Sequence, residues 1–165
     1  LELSHEVDYL LWVLGKAQRV YASLSRSGEL EVDVEDCALL TLSMEFDGSP
    51  VQVSLQMDFV RRDPIRECTI AGSHGTLRWD GLRGTVFAYT STKGWQSVHR
   101  DTKKMDSYRA EWRHFLACIK QRSAPLIGGH EGYAVLQVLH AARESARQGC
   151  FVEVANEAEL GLGGG

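Results

Sequence analysis

Ala38-Leu-Leu-Thr-Leu-Ser-Met-Glu-Phe46, Asp47-Gly-Ser-Pro50 and Val51-Gln-Val-Ser-Leu-Gln-Met-Asp-Phe59 form the stretch that decides the fold. Ala38, Leu40, Leu42, Met44 and Phe46 alternate with Leu39, Thr41, Ser43 and Glu45. In the returning run Val51, Val53, Leu55, Met57 and Phe59 alternate with Gln52, Ser54, Gln56 and Asp58. Successive side chains of a strand point to opposite faces, so each run has one apolar and one polar side. Asp-Gly-Ser-Pro is turn chemistry, and two such runs joined by it predict an antiparallel hairpin.

Working outward, Gln18 to Ser25 suits a strand before the turn Ser27-Gly28-Glu29, and Arg61-Arg62-Asp63-Pro64 breaks the alternation after the hairpin. Pro64 cannot donate to a sheet ladder, so that segment is a connection. Further strands are predicted over Arg66 to Ala71, Thr76 to Trp79, Thr85 to Thr90 and Trp95 to His99, punctuated by Gly72-Ser-His74-Gly75, Asp80-Gly81 and Lys93-Gly94. Beyond Asp106 the period becomes 3.6. Tyr108, Trp112, Phe115, Leu116 and Ile119 predict a core-facing helix that ends before Pro125. A second helix, about His130 to Gln148, is expected to bury Tyr133, Leu136, Leu139 and Ala142 or Ala146 and to stop at Gly149, with a closing strand over Phe151 to Val154. The fold class is α+β: an open-faced, mostly antiparallel sheet with helices packed on one face.

With 165 residues the chain has the length of one domain, and 44% hydrophobic against 24% charged residues is a globular balance. A net charge of -4 offers no field for phosphate backbones, which argues against nucleic acid as a partner. No apolar run approaches the ~20 residues of a membrane span, and the start does not read as a signal peptide. Leu1 stands where an initiator Met would, so the chain is expected to be cut from a longer one. Cys37, Cys68, Cys118 and Cys150 are scattered without a Cys-x-x-Cys pair, which predicts buried reduced thiols of a cytoplasmic protein and no metal site.

The first segment, Glu2-Leu-Ser-His5-Glu-Val-Asp8-Tyr9-Leu-Leu-Trp12-Val-Leu-Gly15, carries the candidate chemistry. Val7, Leu10, Leu11 and Leu14 make one apolar helix stripe that Gly15 closes. Glu2, His5, Asp8, Tyr9 and Trp12 project elsewhere and place an imidazole beside carboxylates and aromatic rings. A histidine, whose ordinary pKa lies near neutrality, suits proton transfer, Asp8 suits hydrogen-bond donors of a ligand, and Tyr9 with Trp12 suits a flat apolar surface. Each has a plainer reading as well: His5 as a capping residue, Asp8 as a partner of the helix dipole, the aromatics as packing. Arg61, Arg62 and Arg66 cluster around Pro64, where they fit either an anionic or nucleotide-linked sugar or a solvated turn. His114 and Cys118 have metal-ligand spacing but no third ligand.

The sequence resembles the second domain of the Gfo/Idh/MocA family of nicotinamide-dependent oxidoreductases. The resemblance rests on the acidic residue followed by Leu-Ser-His5-x-x-Asp8 and an apolar helix ending in Gly15. In the family's order come Asp36-Cys-Ala, Asp58-Phe-Val-Arg61-Arg62, Ile70-Ala-Gly72-Ser-His-Gly75-Thr-Leu, Tyr108-x-x-Glu111-x-x-x-Phe115, and Glu131-Gly132 followed by Ser145-Ala-x-x-Gly149. No Gly-x-Gly-x-x-Gly follows a strand and there is no Glu-Lys-Pro, the segment of the family's catalytic lysine.

The resemblance implies a substrate-binding and oligomerisation domain over residues 1–157 with a flexible tail at 158–165. It would belong to an NAD- or NADP-dependent enzyme acting on a hydroxyl of a sugar, sugar derivative or polyol. It gives His5 and the upstream Glu2 the catalytic roles, leaves the cofactor to a dinucleotide-binding domain absent from this chain, and makes the fragment alone inactive. It also implies a homo-oligomer formed through the open sheet face of Thr41, Ser43, Gln52, Ser54 and Gln56. Two other readings compete: a stand-alone, non-catalytic binding or dimerisation module of the same fold, and a small-sugar-binding protein using Tyr9 and Trp12.

Overall fold

The computed structural model describes residues 4–100 and 106–155, with only the backbone of Asp106. The tail at 158–165 lies outside them. In chain order the elements are α1 (Ser4–Leu14), β1 (Ala17–Ser25), β2 (Cys37–Phe46), β3 (Ser49–Asp58), β4 (Glu67–Gly72), β5 (Gly75–Asp80), β6 (Thr85–Thr90), β7 (Gly94–Arg100), α2 (Asp106–Gln121), α3 (Gly129–Gln148) and β8 (Val152–Glu153). The class is α+β, as the patterning predicts. The strands pair antiparallel in two sheets of four, β3-β2-β1-β8 and β4-β5-β6-β7. Contacts cluster into two compact units, Leu1–Arg61 with Leu126–Gly165, and Arg62–Pro125.

In the first unit the predicted hairpin is β2–β3, with Phe46 opposite Ser49. Asp47 and Gly48 take φ of 49° and 73°, the two positive values of a type I′ turn, whose twist matches that of the strands it joins. Pro50 lies on β3, an edge strand, where a missing donor is tolerated. The apolar face of the sheet, built on Val20, Ala22, Leu40, Leu42, Met44, Leu55 and Met57, is covered by Val7, Leu10 and Leu14 of α1 and by Val135, Val138, Leu139 and Ala142 of α3. Gly15 ends α1 at φ 81° and donates its N–H to Leu11 O at 2.9 Å. A Cβ there would sit 3.2 Å from the Glu45 carbonyl oxygen. On α3 Leu139 and Ala142 are buried as expected, but Leu136 is 62% exposed, and the small Ala141 and Ala142 let the helix backbone approach the sheet.

Ser145 fastens α3 to the sheet. It is fully buried, and its Oγ accepts the Ala22 N–H at 2.9 Å and donates to the Cys150 carbonyl at 2.6 Å. β8 pairs with β1 only at Arg19 and Val20, so the Ala22 donor lies beyond the last strand pair on that side and a side chain satisfies it. The helix then stops at Gly149, which is left-handed at φ 69° and donates its N–H to Ser145 O at 2.8 Å.

In the second unit, Gly72-Ser-His74-Gly75 joins β4 to β5 as a tight hairpin, with Gly72 opposite Gly75. A Cβ on Gly75 would stand 2.1 Å from the Tyr89 carbonyl oxygen, so the residue must be glycine for β5 to lie against β6. Arg78 stacks over Trp95 at 4.9 Å and Tyr89 meets the same ring at 5.4 Å. The α2 stripe departs from expectation. Tyr108, Trp112, Phe115, Leu116 and Ile119 are exposed, Trp112 by 64%, whereas Cys118 is buried. Periodicity identifies which face of a helix is apolar; it does not say that something covers it.

Replacing Ser145 by Ala strands the buried Ala22 N–H. The expected loss is roughly 1–3 kcal/mol of unfolding free energy, visible as a lower urea midpoint at unchanged slope.

Candidate functional site

Helix α1 has two unlike sides. At 100° per residue, His5 and Trp12 project within about 20° of each other, opposite the core stripe, with Asp8 on one flank and Glu6 on the other. The His5 side chain is 52% exposed and Trp12 is 73% exposed, while Asp8 is half-buried. Tyr9 is half-buried and packs in part against the core. Glu2 lies outside the described residues.

The acid in contact with His5 is one that sequence reasoning passed over. Glu6 Oε1 stands 3.1 Å from His5 Nε2, and the Glu6 side chain is only 12% exposed. Neighbouring residues on a helix point about 100° apart, so spacing rules give no hint of such a pair.

Arg61 does not join this face. Its backbone N–H is donated to Asp58 Oδ1 at 2.8 Å, and with Ser23, Ser25, Cys37, Leu39 and Gln56 it lines a cavity of about 420 Å3 at the end of the open face of the first sheet. Arg62 is exposed and belongs to the second unit. Arg66 places its guanidinium 5.3 Å over the Trp79 ring. A second cleft, about 200 Å3, lies between the end of α1 and the start of α3, lined by Leu11, Lys16, His130, Glu131, Ala134 and Val138. A third, about 710 Å3, adjoins it at Lys16 and is lined by Gln18, Glu45 and Glu153. His5, Asp8 and Trp12 line none of the three.

Asp36 closes the loop that runs between β1 and β2. It is buried, and its carboxylate accepts the Ser27 hydroxyl at 2.5 Å and the Ser27 N–H at 2.8 Å. Those two bonds, the hydroxyl first, hold its pKa below the ordinary 3.8. Burial, and then the neighbouring Asp36, raise the Cys37 thiol above its ordinary 9.0. The open face itself is more than a small neutral surface. Arg19, Tyr21 and Leu39 share it with Thr41 and Ser54, Arg19 Nε and Gln52 Nε2 both reach Ser43 Oγ at 3.2 Å, and Phe151 meets Tyr21 at 5.6 Å and the Arg19 guanidinium at 5.0 Å.

These residues do not fit a dinucleotide. The paired strands are antiparallel, so the strand–turn–helix of a phosphate cradle is not among the described residues. At the start of α3 the Gly128 N–H is already taken by Glu131 Oε2 at 2.7 Å, a bond that also lowers the Glu131 pKa below 4.5. A carboxylate there repels a phosphate. Among the described residues no three His, Cys, Asp or Glu side chains converge as metal ligands; Cys118 Sγ lies 3.6 Å from His114 Nε2. No helix among them is long and apolar enough to cross a membrane.

This arrangement of strands and helices is shared with solved dehydrogenase structures. Levoglucosan dehydrogenase in complex with NADH aligns at a TM-score of 0.78 and 17% identity, over 93% of this chain and 48% of that one. The WlbA dehydrogenase from Bordetella pertussis, in complex with NADH and UDP-GlcNAcA, aligns at 0.72 and 21%, over 94% and 44%. UDP-N-acetylglucosamine 3-dehydrogenase GnnA from Acidithiobacillus ferrooxidans aligns at 0.73 and 22%, over 88% and 45%. The chain thus spans about half the length of each. No curated protein matches it. The family model described as "Oxidoreductase family, C-terminal alpha/beta domain" matches residues 2–154, and the chain belongs to that Gfo/Idh/MocA family.

The Asp36 bonds give stability a pH dependence of known sign. The folded pKa is depressed, so the contribution is full above about pH 3.8 and is lost as pH falls through the folded value. Thermal melts between about pH 5 and about pH 3 should therefore show a steeper fall in Tm for the native protein than for Asp36→Asn.

Proposed function

We propose that this chain is the substrate-binding and oligomerisation domain of an NAD- or NADP-dependent oxidoreductase that acts on a hydroxyl of a sugar, sugar derivative or polyol. The observation that carries the reading is the α1 face: an exposed imidazole and indole on the reverse side of a helix that is fixed in the core. Residues with no structural task on a rigid element are available to a ligand. The family membership and the dehydrogenases of similar fold, whose names include levoglucosan and UDP-sugars, support a hydroxyl-bearing substrate.

In this reading the oxidation belongs to a nicotinamide held outside these residues. His5 takes the proton of the substrate hydroxyl, Asp8 accepts hydrogen bonds from neighbouring hydroxyls, and Trp12 offers a flat apolar surface to the ring. Glu2 remains a candidate acid and Tyr9 a candidate contact through its outer edge. Arg61 and Arg62 are candidate contacts for an anionic substituent, Arg61 only if the substrate reaches the open-face cavity. The face around Thr41, Ser43, Gln52, Ser54 and Gln56 is the proposed oligomer contact, with Tyr21, Leu39 and Phe151 as its aromatic and apolar anchors.

Two measurements test the proposal. With the full-length protein, NAD+ or NADP+, and a panel of levoglucosan, glycerol and UDP-N-acetylglucosamine, His5→Ala should lower kcat by roughly 10²–10⁴-fold; unchanged turnover removes His5 from the chemistry. Ser54→Lys should lower the molar mass seen in light scattering, and an unaltered mass removes the open face from the assembly.

A further inference from the structure

The proton acceptor proposed at His5 needs a fixed ring orientation, and the chain itself supplies the means. An exposed imidazole on a helix can rotate about two bonds and can carry its proton on either nitrogen. At His5 one nitrogen has a carboxylate beside it: Nε2 lies 3.1 Å from Glu6 Oε1, an ion-pair distance. Glu6 is well placed to hold it, because its own side chain is 12% exposed and is tucked on the flank of α1 beside the buried Val7 and Leu10. A half-buried anchor with few rotamers restrains a mobile partner better than a second exposed side chain would.

We propose that Glu6 is a positioning residue for His5. Its carboxylate, 3.1 Å from Nε2, favours a proton on that nitrogen and so leaves Nδ1 to accept the proton of a substrate hydroxyl. When that hydroxyl gives its proton to Nδ1, the ring becomes an imidazolium whose positive charge lies at ion-pair distance from a carboxylate. Nε2 keeps its proton throughout and the carboxylate is not protonated. Glu6 thus acts through His5 and does not touch the substrate. This inference rests on the proposed role of His5.

A double-mutant cycle separates the two claims. In the full-length protein, with the best-used member of the panel above, Glu6→Gln should lower kcat by roughly 10- to 100-fold, part of the 10²–10⁴-fold expected of the acid–base group, with KM little changed. Glu6→Asp, which keeps the charge, should recover much of that loss. In a His5→Ala background, Glu6→Gln should change nothing further. If His5→Ala is silent, the proton-acceptor reading fails. If His5→Ala is crippling while Glu6→Gln is silent, or equally harmful in both backgrounds, only the positioning role fails. NMR of the 165-residue chain is an independent arm that needs neither turnover nor a stable Glu6→Gln variant. The His5 ring should show a downfield Nε2–H signal protected from exchange in the native chain and weakened in Glu6→Asp; a freely exchanging ring overturns the proposal.

Discussion

One buried hydroxyl sets where the helices of the first unit can lie. Ser145 accepts from the Ala22 amide and donates to the Cys150 carbonyl, so α3 is fixed in height and rotation against β1 at its C-terminal end. A side chain does here what another strand would otherwise do, because β8 supports β1 only at Arg19 and Val20. The unsatisfied alternative is costly in a buried place, which makes the bond a constraint on geometry more than a large source of net stability. Everything on the apolar face follows. With α3 seated through Val135, Val138 and Ala142, the space left over the sheet is filled by Val7, Leu10 and Leu14 of α1.

The same constraint decides what α1 can offer. Its core stripe occupies about half its circumference, so the other half must face outward, and the residues there are unusual for a solvated helix: His5, Asp8 and Trp12 in place of lysines and glutamates. Such a face is convex and lines none of the three cavities. A convex face can bind a small molecule well only against a second surface, since clefts and not ridges bury most of a ligand. The chain spans about half the length of the dehydrogenases it resembles in fold.

Much of this was legible in the sequence, and for identifiable reasons. The period of two places β2 and β3, and the positive φ values of Asp47 and Gly48 confirm the turn that Asp-Gly predicts. Gly15 and Gly149 mark both helix ends because the left-handed conformation disfavours other residues. What was not legible depends on contacts distant in sequence or on a helix neighbour. Ser145 meets Ala22 across 123 positions, and its place in Ser145-Ala-x-x-Gly149 does not name that partner. On α3 Leu139 and Ala142 were placed correctly, but Leu136 was preferred to Ala141 because it outranks it in hydrophobicity, whereas close packing favours the smaller residue. Glu6 was missed because helical spacing directs attention to residues three and four apart.

The division of labour along α1 also explains why a candidate site can sit on a helix at all. A loop would present His5 more freely but would hold it less well, and proton transfer requires reacting atoms in place before the chemistry begins. Here the backbone of α1 is immobilised by three buried side chains on one side and closed by Gly15 against the Glu45 strand on the other. The remaining freedom of the imidazole is two side-chain torsions, and a carboxylate stands 3.1 Å from its Nε2. In the proposed reading stability and function draw on opposite faces of one helix, so changes to His5 or Trp12 leave the core closed, while changes to Val7 or Leu14 would move that face with the scaffold.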